Sequence, residues 1–248
     1  MAVPAPGRGP PIADDGDQFN FCSTCAFSGA CLDAGVDKGR LRELHMLVEH
    51  TSPCRTGEHL FREGDPFNAI AAVRSGTVKT YVTDADGREQ VRGFFLPGEV
   101  IGLDAISESR YPCNAIALEP VVLCRFSFPN LSSLAARMPG LQQHLFRLLS
   151  HDIGNAALLA GNHTAEDRMA AFLVGLSRRY AARGFRADRF QLTMSRADIA
   201  NYLRLAAETV SRILRRFQDE RLVRVRRREI ELLDLPRLEK AALTVLRS

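Results

Sequence analysis

The chain has 248 residues, 46% of them apolar, which is enough for two domains with separate hydrophobic cores. Its longest apolar runs, such as Val121–Leu123 and Ala156–Ala160, fall far short of the ~20 residues that cross a bilayer, so a soluble globular protein with no membrane partner is expected. The formal charge of +4 is unevenly spread: residues 163–248 carry 19 Lys and Arg against 11 Asp and Glu, so that part is net +8 and residues 1–162 are net −4.

Residues 1–20 are rich in Pro, Gly and Asp and hold too few apolar side chains to offset the entropy of ordering, so a flexible tail is expected. No apolar stretch of the kind that directs secretion is present there, which points to a cytoplasmic, reducing location. In that setting the six cysteines, at 22, 25, 31, 54, 113 and 124, are poor material for a disulfide framework and better suited to metal or redox chemistry. Cys22, Cys25 and Cys31 fall within ten residues, among Ser, Thr and Gly that describe a tight loop. Thiols that converge in such a loop hold a metal; the competing readings are a disulfide or small apolar filling.

Lys38–Glu49 has Leu41, Leu44, Leu47 and Val48 at helical spacing and predicts a short helix. From Thr56 to Ser127, short apolar segments alternate with Gly-rich turns, the pattern of an antiparallel β-barrel or roll. Helical spacing returns after Pro129, with a short piece over Leu131–Met138 and a long helix opened by Pro139. Leu141, Leu145, Leu148, Leu149, Ile153, Ala156 and Leu159 form one apolar stripe on it. Such a stripe can pack on the chain's own roll or on a second subunit, and its length favours the subunit contact.

A C-terminal domain is expected over 163–248. Its first helix spans Ala165–Ala182, with Met169, Phe172, Leu173 and Leu176 on one side. Ser195 is placed to cap a helix whose first turn holds Arg196 and Asp198. A short turn at Arg204–Leu205 leads to a second helix, Ala206–Asp219, and then to a basic hairpin over Val223–Leu232. Helix, short turn, helix and basic hairpin make a winged helix-turn-helix, and the basic charge of this half suits a nucleic-acid partner as well as a solvated surface.

Within the second helix, Val210, Ile213, Leu214 and Phe217 share the inward side, and Glu208, Ser211 and Arg212 share the outward one. Arg can grip guanine O6 and N7 with two hydrogen bonds, Glu can accept from cytosine N4, and Ser can use its hydroxyl. Alternatively Glu208 and Arg212 form an i,i+4 surface pair, which could also orient Arg212 before DNA arrives. Arg196, Arg215, Arg216, Arg224 and Arg226–Arg228 suit phosphate contacts or plain solvated charge.

From residue 20 onward the chain resembles the CRP/FNR family of transcription regulators, and within it the oxygen-sensing iron-sulfur members. The resemblance rests on the cysteine loop, Val73-Arg74-Ser75-Gly76-Thr77-Val78-Lys79, Gly102-Leu103-Asp104-Ala105-Ile106, Leu176-Ser177-Arg178-Arg179, and Ala207-Glu208-Thr209-Val210-Ser211-Arg212. It implies an α+β architecture: a tail over 1–20, a cysteine loop and cyclic-nucleotide-binding-like β-roll over 21–128, a dimerisation helix region over 129–162, and the winged helix-turn-helix. It also implies a [4Fe-4S] cluster that assembles without oxygen, favours the homodimer, and is degraded by oxygen so that DNA affinity is lost. The implied ligands are Cys22, Cys25, Cys31 and Cys124, with Cys113 as competitor for the fourth place; Cys54 suits a small buried hydrophobe.

The resemblance further implies that Glu208, Ser211 and Arg212, with Thr209, Arg196 and Arg215 beside them, contact an inverted repeat of TTGAT-like half-sites. Loops such as Thr83–Arg88 would touch RNA polymerase. No cyclic nucleotide is expected, because Leu103 and Pro112-Cys113 stand where relatives that bind one need a Glu and an Arg-Ser pair, although Arg110 is close by. Two departures stand out: Arg204 replaces a Gly in the helix-turn-helix turn, and Ser150–Arg168 is a few residues short. Other classes of function are a regulator whose thiols hold zinc or switch as a disulfide, and an iron-sulfur electron carrier or enzyme. The carrier is disfavoured because it needs no base-reading helix and no catalytic constellation is visible.

Overall fold

A computed structural model describes residues 43–44, 46–157 and 163–246; the cysteine loop at 22–31 and the first part of the helix expected at 38–49 lie outside them. The chain divides into two compact units, with the boundary between Ile153 and Gly154. Among the described residues, no helix is long and apolar enough to cross a membrane.

The first unit is an antiparallel β-roll. Its strands are β1 (Val48–His50), β2 (His59–Phe61), β3 (Ala69–Ser75), β4 (Val78–Thr83), β5 (Glu89–Phe95), β6 (Val100–Ile101), β7 (Asn114–Ala117) and β8 (Val122–Ser127). They form two four-stranded sheets, in the orders β1-β8-β3-β6 and β2-β7-β4-β5. Period-two alternation assigns their faces. On β3, Val73 joins Val78, Ile101, Ala115, Ala117, Val121 and Leu123 in a core shared by both sheets. Ile70 and Ala72 point the other way, into a cluster closed by helices. Gly76 makes the β3–β4 turn possible: its φ is 84°, and a Cβ there would lie 2.4 Å from the Pro120 carbonyl oxygen.

Glu43, Leu44 and Met46 are helical, but the chain is already a strand at Val48, so the expected helix ends before Val48 and Glu49. The reason is tertiary. The edge of β8 pairs Val48 with Phe126 and Glu49 with Arg125, and these ladder bonds outweigh a short local helical pattern.

Helix α1 (Phe128–Arg137) stops at Met138, whose extended backbone (φ −126°, ψ 90°) suits a residue that precedes proline. Pro139 then opens α2 (Pro139–Ala157) at the position where its missing N–H costs nothing. Leu131, Leu134, Ala135, Met138 and Leu141 are buried against Ile70, Ala72 and Phe126, and Leu145, Leu148 and Leu149 pack on the same cluster half-buried. The first turns of the leucine stripe are therefore committed to the protein's own roll, contrary to the expectation that the stripe as a whole faces a second subunit. The exposed apolar side chain on this stretch of α2 is Phe146, 60% exposed and off the stripe.

The second unit contains α3 (Ala165–Ala181), β9 (Arg189–Gln191), α4 (Arg196–Leu203), α5 (Ala207–Asp219), β10 (Val223–Arg226), β11 (Glu229–Leu232) and α6 (Leu235–Leu246). Thr164 and Asp167 form a capping box at the start of α3, satisfying the N–H groups that a helix leaves open at that end. Met169, Leu173 and Leu176 are buried, as are Leu238, Ala242 and Val245 of α6. Sequence reading missed α6, which packs along α3, and β9, which completes a three-stranded sheet in the order β10-β11-β9.

Candidate DNA interface and sensor face

The outward helix of the second unit is set by its neighbours. Ser195 caps α4: its Oγ accepts from the Asp198 N–H at 3.0 Å, and Asp198 Oδ2 accepts from the Ser195 N–H at 3.2 Å. The helix ends at Arg204 in the left-handed region (φ 56°, ψ 47°). The Leu205 N–H then reaches back to the Ala200 carbonyl at 2.8 Å and the Arg204 N–H to the Asn201 carbonyl at 3.1 Å, closing a tight turn. Arg168 of α3 donates to the Leu203 carbonyl at 3.2 Å, placing a cation at the negative end of α4. That turn delivers α5 with Val210, Ile213, Leu214 and Phe217 buried, as their spacing predicts.

Glu208, Ser211, Arg212 and Arg215 are exposed on the opposite face, and Thr209 is half-buried beside them. Ser211 Oγ donates to the Ala207 carbonyl at 3.1 Å, a bond within its own helix. Glu208 and Arg212 form no ion pair, so the alternative that Glu208 orients Arg212 is not realised; among the described residues Arg212 and Arg215 have no acidic partner. Arg216 pairs with Glu166 of α3 and, at 2.9 Å, with Glu220. Arg224 pairs with Glu231 at 2.6 Å. The arginines thus divide into cations tied to the scaffold and cations left for a partner. Thr209 and Arg212 line a cleft of about 400 Å³ with Thr164, Ala165, Glu166 and Arg216. Arg196, at the first position of α4, is half-buried, and its Nη1 is enclosed without a hydrogen-bond partner.

Of the four expected thiol ligands, Cys22, Cys25 and Cys31 lie outside the described residues. Cys124 lies at the middle of β8, between His50 of β1 and Ala72 of β3. Its half-buried side chain is on the face with Phe126, against the cluster that also holds Leu44 and the α2 leucines. Cys113 differs in every respect. It is 1% exposed, and its thiol lies 3.5 Å from Asp104 Oδ2. Burial first, and the Asp104 carboxylate second, push its pKa up to about 12. Cys54 is half-buried, bridged to Val121. Among the described residues no group of three or more Cys, His, Asp or Glu converges as a metal site.

Leu103 is buried in a single 3₁₀ turn, Leu103–Ala105. The guanidinium of Arg110 donates to the Gly64 carbonyl at 2.6 Å. The β4–β5 tip is a tight turn in which Asp84 accepts from the Asp86 and Arg88 N–H groups, both at 2.9 Å.

A roll followed by a winged helix-turn-helix with an unpaired basic reading face defines a DNA-binding transcription regulator and not an enzyme. A cyclic nucleotide-binding domain matches residues 52–138, and a Crp-like helix-turn-helix domain matches 167–241. The chain is 42% identical over 217 residues to the anaerobic regulatory protein of Pasteurella multocida, covering 86% of this chain and 80% of that one. It is 40% identical over 214 residues to the fumarate and nitrate reduction regulatory protein of Salmonella typhi, covering 85% and 86%. The solved structure of FixK2 from Bradyrhizobium japonicum is similar with a TM-score of 0.71 at 30% identity, covering 78% of this chain and 96% of that one. The chain belongs to the CRP/FNR family of transcription regulators, close to the fumarate and nitrate reduction regulators.

Proposed function

We propose that this protein is an oxygen-responsive regulator of anaerobic gene expression in the cytoplasm. It binds inverted-repeat DNA as a homodimer while Cys22, Cys25, Cys31 and Cys124 hold a [4Fe-4S] cluster, whose loss in oxygen would end dimerisation and DNA binding. The relatives named for anaerobic regulation support the physiological side of this reading.

The observation that carries it is the position of Cys124. Its side chain is half-buried rather than sealed in the core, and its strand is hydrogen-bonded to β1, the first strand among the described residues. A ligand must be a thiolate. Cys113 is 1% exposed, and burial first and the Asp104 carboxylate second raise its pKa, which disfavours the thiolate there. Cys124 also shares its cluster of side chains with Leu145, Leu148 and Leu149 of α2. A constraint on β8 therefore bears on the packing of α2, and α2 is the element whose remaining surface, Phe146 included, would meet a second subunit.

At the DNA end, Arg212 would take a guanine by two hydrogen bonds, with Glu208 and Ser211 at neighbouring bases of a TTGAT-like half-site, while Arg215 and Arg196 meet phosphates and Thr209 supports the same edge. Two copies would read half-sites about one helical turn apart. The β4–β5 tip would meet RNA polymerase. The roll takes no cyclic nucleotide in this reading, since apolar Leu103 and buried Cys113 offer its phosphate no cation; Arg110 lies close by in sequence and directs one of its donors to the Gly64 carbonyl.

Iron content after purification without oxygen tests the ligand set. Wild type is expected to carry about four irons per chain, as a cluster on four thiolates requires. Cys124→Ala should lose them and Cys113→Ala keep them. The opposite result, or a colourless zinc protein, overturns the assignment.

A further inference from the structure

The strongest charge left without a role is at the tip of the wing. Arg226 pairs with Glu229 across the β10–β11 ladder, so the hairpin turns in two residues, Arg227 and Arg228. Arg226, Arg227 and Arg228 are all exposed, and none forms a salt bridge among the described residues. Cations nearer the base are neutralised: Arg224 by Glu231, Arg189 by Glu229, and Arg186 by Asp188 at 2.7 Å. The free positive charge of the hairpin is thus gathered at its tip.

The backbone there is fixed from two sides. The Leu192 N–H donates to the Arg228 carbonyl at 2.7 Å, and the Val225 N–H donates to Gln218 Oε1 at 3.0 Å. Gln218 belongs to α5, so the wing is tied to the reading helix itself and only its tip side chains are free. Arg227 has a φ of 57°. That region suits glycine, and among the described residues Arg227 has no ion-pair partner that would hold it there.

Scale decides what the tip can reach. A wing strand of four residues extends about 13 Å. A helix in the major groove has a phosphate ridge on either side, and beyond each ridge a minor groove about 6 Å wide. A hairpin of that length, leaving the C-terminal end of α5, is long enough to cross such a ridge. Narrow A·T-rich minor grooves concentrate negative potential and attract arginine, whose guanidinium is more weakly hydrated than an ammonium.

We propose that the wing tip Arg226–Arg228 is a second DNA-reading surface, with Arg227 entering the minor groove that flanks each half-site and favouring A·T-rich flanks. The proposal rests on the reading of α5 as the major-groove helix. Its test uses the full chain, purified without oxygen, and duplexes that share one inverted repeat but carry A·T, G·C or inosine·C flanks. Inosine removes the minor-groove amino group of guanine.

Fluorescence anisotropy should give about tenfold tighter binding with A·T than with G·C flanks, the effect of one favourable base-pair position, and inosine·C flanks should behave like A·T. Arg227→Gly, which suits the backbone, should abolish the flank preference and keep the preference for the repeat over a scrambled core. Equal affinity for all flanks in wild type overturns the proposal. So does Arg227→Gly weakening every duplex by the same factor, which would make the tip a phosphate contact only. A wild type that does not distinguish the repeat from the scrambled core overturns the reading of α5 and, with it, the proposal.

Discussion

Arg204 stands at φ 56° in the turn between α4 and α5, with an exposed side chain. A non-glycine residue there costs about 1 to 2 kcal/mol. Arg204→Gly is accordingly expected to stabilise the second unit by about 1 kcal/mol in urea unfolding; a loss of stability would mean that the guanidinium makes a compensating contact. A second residue-level consequence concerns Cys113. The unfolded chain ionises this thiol near its ordinary value of 9.0, whereas the folded chain holds the proton to about 12. The folded state binds more protons across that window, so its stability falls as pH rises through it. Cys113→Ala should make the alkaline decline in unfolding free energy shallower, by up to about 1.4 kcal/mol per pH unit. An unchanged slope would show that the thiol ionises as freely in the folded chain as in the unfolded one.

The reading helix shows what an element inherits from its sequence. Its inward residues were legible because four apolar side chains repeat at helical spacing, and its outward ones because polar residues fill the other face. What spacing could not show was which cations remain available. Arg216 and Arg212 look alike in sequence, yet Glu166, fifty residues away on α3, claims Arg216 and leaves Arg212 unpaired. Strand β1 was misread as helix for a similar reason, since the edge of β8 that it joins is about seventy residues distant. The capping box of α4 was legible because both partners lie within four residues. Arg212→Ala should lose about 1 to 3 kcal/mol of discrimination at a single guanine of the half-site. Equal weakening on every sequence would make Arg212 a phosphate contact, leaving Glu208 and Ser211 to specify bases.

At the scale of the whole molecule, the proposed function would couple Cys124 on the roll to the basic helix α5 of the other unit. The roll, the helix order and the winged domain could be inferred from turn residues and changes of period. Spacing alone did not separate Cys124 from Cys113; the family resemblance favoured Cys124, and the burial of Cys113 beside the Asp104 carboxylate, which no spacing reveals, supports the same proposal. The most direct measurement is the DNA affinity of oxygen-free protein for an inverted repeat, followed together with its visible absorbance as air is admitted. The account predicts a brown protein that binds the repeat tightly, then loses colour, dimer and affinity together. A colourless protein, or one whose affinity is the same before and after air, would contradict it.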